Sequence, residues 1–325
     1  MTSGSPGRLI ILFAIPLMLG NICQQLYTMV DTMVVGQIAG VEALAALGAV
    51  DFLMWVVTGI STGLTQGFSI QLSQYYGAKN FENLRKSLAH SYRLTAFIAV
   101  GVFILSQSFA SLILTGLHTP SNIIGMSLLY LRIIFCGIPA TAAYNMFASA
   151  LRAMGNSKTP LTAMIIASVL NVSLDILFVA GFGWGVAGAA IATVIAQSFS
   201  AVYCFLILRR IDIVHLTKTD FMPASGMNAR LMKLGIPVVF QNIIIGVGGL
   251  VVQYVINGYG FLFVAGFTAT NKLYGLLEMA AISYGYAIVT YVGQNLGAGK
   301  IDRIRKGVRS SMLLSLLTSL IISAA

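Results

Sequence analysis

The stretch Leu9-Ile-Ile-Leu-Phe-Ala-Ile-Pro16-Leu-Met-Leu-Gly20-Asn21-Ile-Cys-Gln24-Gln-Leu-Tyr-Thr28-Met-Val-Asp31-Thr-Met-Val-Val35 decides the reading of this chain. It holds a single charged side chain, Asp31. About 20 mainly apolar residues suffice to cross a bilayer as a helix, so the stretch is predicted as a membrane span. Asn21, Gln24, Thr28 and Asp31 fall at i, i+3, i+7 and i+10, which is one helix face. A charge within a span is costly, so Asp31 reads as functional rather than as helix glue. Pro16 and Gly20 interrupt the first half of the span. Proline removes a backbone hydrogen bond, so Pro16 is either a hinge or a static bend.

The rest of the 325 residues have the same character: 58% are hydrophobic, 9% are charged, and mean hydropathy is +0.89. Soluble domains carry roughly 25% charged residues. A soluble enzyme, a disordered protein and a fibrous repeat are therefore excluded, and an all-α integral membrane protein is expected. Nine spans are predicted: Leu9–Val35, Val50–Gln71, Leu88–Leu114, Met126–Ala150, Leu161–Val179, Val186–Leu208, Leu231–Asn257, Phe261–Tyr291 and Val308–Ala324. Cys23, Cys136 and Cys204 lie inside apolar segments and read as small buried hydrophobes.

The charge of +10 sits in alternate connections. Lys79, Arg85, Lys86 and Arg93 form one group, Arg152 and Lys158 a second. Arg209, Arg210, Lys218, Arg230 and Lys233 form a third, and Lys300, Arg303, Arg305, Lys306 and Arg309 a fourth. The intervening connections, around Gln37–Leu47, Gly116–Gly125, Ala180–Gly185 and Gly258–Gly260, have no Lys or Arg. Anionic headgroups and the positive-inside rule account for this better than nucleic acid does. The amino terminus and the basic loops are expected in the cytoplasm, and the protein in the cell (plasma) membrane.

The chain also repeats itself with a shift of about 220 residues. Gln74-Tyr-Tyr-Gly77-Ala78 before Arg85-Lys86 matches Gln294-Asn-Leu-Gly297-Ala298 before Arg305-Lys306, and Ile15-Pro16 and Asn21 match Ile236-Pro237 and Asn242 one residue out of step. Copies six spans apart have the same orientation, so the repeat is parallel, a common way to build transporters. The expected organisation is a first six-helix lobe over residues 1–208, a cytoplasmic linker over 209–230, and an incomplete second lobe of three helices over 231–325. About nine of an expected twelve helices are present on this reading, and the chain by itself is expected not to transport.

Two further polar stripes occur in the first lobe: Ser168, Asn171 and Asp175 in span five, and Thr193, Gln197 and Ser200 in span six. Together with the first stripe they predict a shared hydrated chamber. Carboxylates with amide and hydroxyl oxygens suit a hard cation such as sodium, and they equally suit proton carriage. Glu278 is a second coupling or substrate carboxylate, or the partner of a cation outside this sequence. Lys272 is a further intramembrane charge, Arg132 reads as snorkelling, and Asp51 as a cap or a site. Gly59-Ile-Ser61-Thr-Gly63 and Gly183-Trp-Gly185-Val-Ala-Gly188 mimic a nucleophile elbow and a dinucleotide fingerprint. Both lie in the wrong context, within or between membrane spans, and are discarded. Gly59, Gly63 and Gly67 instead make a small-residue ridge for close helix packing. No phosphate-binding loop and no nucleophile–base or metal-ligand set is visible, so neither ATP-driven transport nor an enzyme is expected.

These features together resemble the multidrug and toxic compound extrusion (MATE) family. The matching pieces are Ile15-Pro16; Val30-Asp31-Thr32 with Gly36-Gln37; Gln74 to Ala78 before Arg85-Lys86; Leu151-Arg152-Ala153-Met-Gly155-Asn156 ending in Pro160; and Asn171-x-x-x-Asp175. The resemblance implies an antiporter, with no cofactor beyond Na+ or H+ as coupling ion. Organic cations or other drugs would leave in exchange, by alternating access, from a protein that is monomeric, bilayer-embedded and without a nucleic-acid partner. It implies a cation site at Asp31, Asn171 and Asp175 with Thr193 as companion, and Pro16 as the bending point. Gln24, Thr28, Gln197 and Glu278 are candidate substrate or coupling positions. Another branch of the family uses a glutamate in span seven; that span has no acid here, and Glu278 in span eight is a loose counterpart. The competing readings are a flippase for a lipid-linked precursor, whose chamber should be cationic, and a channel, whose flux should ignore counter-gradients.

Overall fold

The structure is a computed structural model that describes residues 1–324, without the side chains of Lys272, Leu273, Leu276, Leu277, Ser323 and Ala324. The expected intramembrane charge of Lys272 thus lies outside the described residues. Among these residues the chain forms nine helical rods. In order they are α1 (Pro6–Ile38); α2 (Val41–Gly48) with α3 (Asp51–Gly77); α4 (Phe81–Gly116); and α5 (Ile124–Cys136) with α6 (Ile138–Ala153). Then come α7 (Lys158–Asp175) with a π-helical turn (Ile176–Gly181), α8 (Gly185–Arg209), α9 (Met227–Asn257), α10 (Phe261–Gly297) and α11 (Ile301–Ala324).

The nine rods coincide with the nine expected spans, with two corrections. Among the described residues, six rods are long and apolar enough to cross a membrane by themselves, and the α5–α6 pair makes a seventh. The span expected over Met126–Ala150 is broken at Gly137 and bent by 48°. Pro139 follows two residues later, and its ring and missing N–H end the preceding helix there. The expected loop around Gln37–Leu47 contains α2, which continues into α3 after a short break. By contrast α1 runs unbroken through Pro16.

The outer surface is apolar, unlike that of a soluble protein. Large apolar side chains such as Phe97, Leu112, Val169 and Ile244 are exposed around the girth. The interior holds many small and polar residues, among them Ser61, Thr65, Ser69 and Ser73 on α3. Lipid provides no hydrophobic drive between helices, so close backbone approach and hydrogen bonds hold them together. The ridge Gly59, Gly63 and Gly67 is placed against α9. Asn242 donates to the Gly59 carbonyl at 3.0 Å, and a methyl group on Gly63 would lie 2.8 Å from the Val239 nitrogen.

Helix boundaries follow the sequence repeat. Gly77 and Gly297 end α3 and α10, and Phe81 and Ile301 begin α4 and α11. The packing is reciprocal as well: α3 lies on α9, and α1 lies on α10. At the basic end the two Gln-x-x-Gly motifs touch each other. A methyl group on Gly77 would strike the Gln294 backbone, and one on Gly297 would strike the Gln74 backbone. Gln294 Nε2 donates to the Ala153 carbonyl at 2.8 Å and so ties α10 to α6.

The segment between α8 and α9 lies folded against α4. Asp220 Oδ2 accepts from the backbone N and the hydroxyl of Thr217, both at 2.8 Å, and Oδ1 lies 3.7 Å from Arg85 Nε. The ring nitrogens of His90 are 2.7 Å from Asn228 Oδ1 and 3.1 Å from the Met222 carbonyl.

Candidate functional site

The stripe on α1 opens onto a cavity of about 340 Å³. Asn21, Gln24, Thr28 and Asp31 line it, with Thr193 and Gln197 of α8 opposite. Gln197 Nε2 donates to the Tyr27 hydroxyl at 3.3 Å, which ties α8 to α1. Thus all the lining residues expected from the first and third stripes meet at one chamber, except Ser200, which is buried away from it.

The α7 stripe stands behind this wall. Asn171 and Asp175 are fully buried. With the Asn171 amide turned to satisfy both of its ends, its nitrogen donates to Asp175 Oδ2 at 3.2 Å and its oxygen accepts from the Thr193 backbone N at 3.3 Å. Ser168 Oγ is 3.4 Å from the Cys23 carbonyl of α1. Asp175 Oδ1 has no hydrogen-bond partner among the described residues. A buried carboxylate oxygen left this way favours a proton or a metal cation, because unpaired burial of a charge is costly. The π-helical turn starts at the residue after Asp175. Such single-turn irregularities are frequent at functional sites and change the direction of the following chain; nothing in the periodicity announced this one.

Two further charged residues line the chamber, and for Asp51 this is one of the two roles expected from the sequence. Asp51 is the first residue of α3 and lines the cavity. Arg152, grouped above with a basic connection, lines the same cavity from the last turn of α6. Glu278 faces elsewhere: it lines a second cavity of about 540 Å³ with Trp55, Gln66, Gln241 and Asn242. Thr58, Thr62 and Tyr286 line both cavities, so the two adjoin. Arg132 is exposed on the outside of the helices, as snorkelling requires. No cluster of three or more His, Cys, Asp or Glu side chains exists among the described residues.

Fold and site define a multi-pass helical membrane protein with a polar chamber at the crossing of internally repeated helices. The chain belongs to the MatE family, whose model matches residues 16–177 and 237–325. This is a family of transporters and not of enzymes. The chain is 31% identical over 93% of its length to the probable multidrug resistance protein YpnP of Bacillus subtilis (strain 168), and covers 68% of that protein. It is 30% identical to the probable multidrug resistance protein YoeA of the same organism, over 94% of this chain and 67% of that one. The chain thus spans about two thirds of the length of these relatives. Its fold is similar to the outward-facing conformation of a multidrug resistance MATE family transporter, with a TM-score of 0.90 and 23% identity, covering 99% of this chain and 72% of that one.

Proposed function

We propose that the protein exports organic cations or other drugs from the cytoplasm in exchange for Na+ or H+. The observation that carries this reading is the Asp175 carboxylate, wholly buried with an unpartnered oxygen, one layer behind the wall that bears Asp31 and Thr193. A carboxylate held this way changes its energy strongly when a proton or sodium ion arrives, so ion arrival can bias the protein between two conformations. Asp31 lines the chamber, where the same event competes with a cationic substrate. Reciprocity then requires that bound drug weaken ion binding. Pro16 lies on the helix that carries the stripe, where one backbone hydrogen bond is already missing, so bending there is easy. Access would alternate between two lobes, residues 1–208 and 231–325, joined by residues 209–230. The basic loops favour a cytoplasmic amino terminus, with the protein in the plasma membrane. Among the described residues acids dominate the two cavities, with Asp31, Asp51 and Glu278 against Arg152, which favours cation export over a flippase for anionic headgroups.

The test is efflux of a fluorescent cationic dye from vesicles bearing the whole protein, with sodium and proton gradients imposed separately. Asp31→Asn and Asp175→Asn are expected to abolish gradient-driven efflux, and the gradient that drives the wild type names the ion. Undiminished efflux in both variants would move coupling elsewhere, and no dye movement under either gradient would sink the antiport reading.

A further inference from the structure

Among the described residues, Arg152 is the one guanidinium that lines the chamber. The last turn of α6 holds it there, where the helix dipole favours a cation. Its Nη2 donates to Ser149 Oγ at 2.9 Å, and its guanidinium carbon lies 4.8 Å from the centre of the Tyr286 ring. The ion pairs among the described residues, Arg85–Asp220 and Lys86–Glu82, do not involve it. A guanidinium has five N–H donors in a rigid fork that matches a carboxylate. Ser149 uses one of them, and the Tyr286 face steadies the plane without occupying its edge. Tyr286 also borders the second cavity, so Arg152 stands where the two cavities meet.

Position along the chamber follows from helix geometry. Asn21 on α1 donates to Ser283 on α10, one turn before Tyr286, so Arg152 lies near the Asn21 end. Ten residues of α1 separate Asn21 from Asp31, roughly 15 Å of helix rise. The acid and the guanidinium therefore stand toward opposite ends of a space large enough for one drug-sized molecule.

We propose that Arg152 is a substrate-selecting residue: it forms an anion subsite that takes the carboxylate of amphiphiles whose cationic end is directed to the acids. The proposal rests on the chamber being the substrate site, and it assigns to one residue the recognition of the ligand's anionic end. Positive charge at this end also repels a purely cationic group, so the chamber orients its ligand.

The test is equilibrium binding, by fluorescence anisotropy, of a cationic rhodamine methyl ester and the free acid of the same dye to the protein in nanodiscs. The two probes differ only in the carboxylate. Arg152→Gln is expected to weaken binding of the free acid about tenfold or more, the scale of a lost charge-assisted pair, and to leave ester binding within about twofold. Arg152→Lys is expected to restore part of the free-acid affinity, since it keeps the charge and loses the fork. Equal weakening of both probes would mean that Arg152 only latches α6 to Tyr286, and would overturn the proposal, as would no change for either. If the neutral variant does not fold, the wild type decides: failure of the free acid to displace the ester overturns the subsite. Failure of the ester itself to bind would strike the chamber as substrate site, a separate result.

Discussion

Replacing Gly77 by alanine, or Gly297 by alanine, is expected to weaken closure of the basic end selectively. The added methyl on Gly77 would lie 2.6 Å from both the Cα and the carbonyl carbon of Gln294, where ordinary contact begins at 3.4 Å. Backbone cannot swing aside as a side chain can, so the ends of α3 and α10 must separate by at least 0.8 Å, the difference of those two distances. A gap of that order forfeits roughly a quarter to a half of each dispersion well along the contact. Overpacking of this kind costs about 1–3 kcal/mol. If the strain falls only on the closed arrangement, the balance between closed and open shifts by about 5- to 150-fold. Gly297 meets Gln74 in the reciprocal way, so its alanine variant should behave alike. The assay places a single cysteine at Asn145, which lines the chamber, in a background lacking Cys23, Cys136 and Cys204. The rate of labelling by an impermeant maleimide from the basic face should rise at least about fivefold in either variant. An unchanged rate in both, with folded protein, would refute the idea that the two motifs close this end.

Asn171→Ala should destabilise by about 1–3 kcal/mol, because it removes the donor that Asp175 Oδ2 uses inside a buried site. Asp175→Asn should leave the melting temperature unchanged or raised while transport is lost, and thermal unfolding in detergent compares the pair. Asp220→Ala removes the acceptor for two Thr217 donors and the partner of Arg85, so a loss of about 1–2 kcal/mol is expected, with faster tryptic cleavage after Lys218. Glu278→Gln should weaken binding of a monocationic dye about two- to fivefold, the range of a partly exposed ion pair. An effect of that variant on ion-driven conformational change rather than on dye binding would instead mark Glu278 as a coupling group.

What could be read in the sequence were the properties that depend on local order along one helix. Apolar length marked the rods, because each span must satisfy its own backbone in lipid. The i, i+3, i+7 spacing marked the faces of α1, α7 and α8 that carry Asp31, Asp175 and Thr193. The 220-residue shift marked the equivalence of Gly77 and Gly297, since each repeat copies the same backbone demand. The π-helical turn after Asp175 and the sites of Arg152 and Asp51 in the chamber were decided by the tertiary structure. These depend on which helix lies opposite and how deeply a helix end reaches into the space between neighbours. A basic residue near a loop looks the same in sequence whether it meets headgroups or a chamber. For Arg152 the difference is made by the packing of α6 against α10, which brings Tyr286 over the guanidinium.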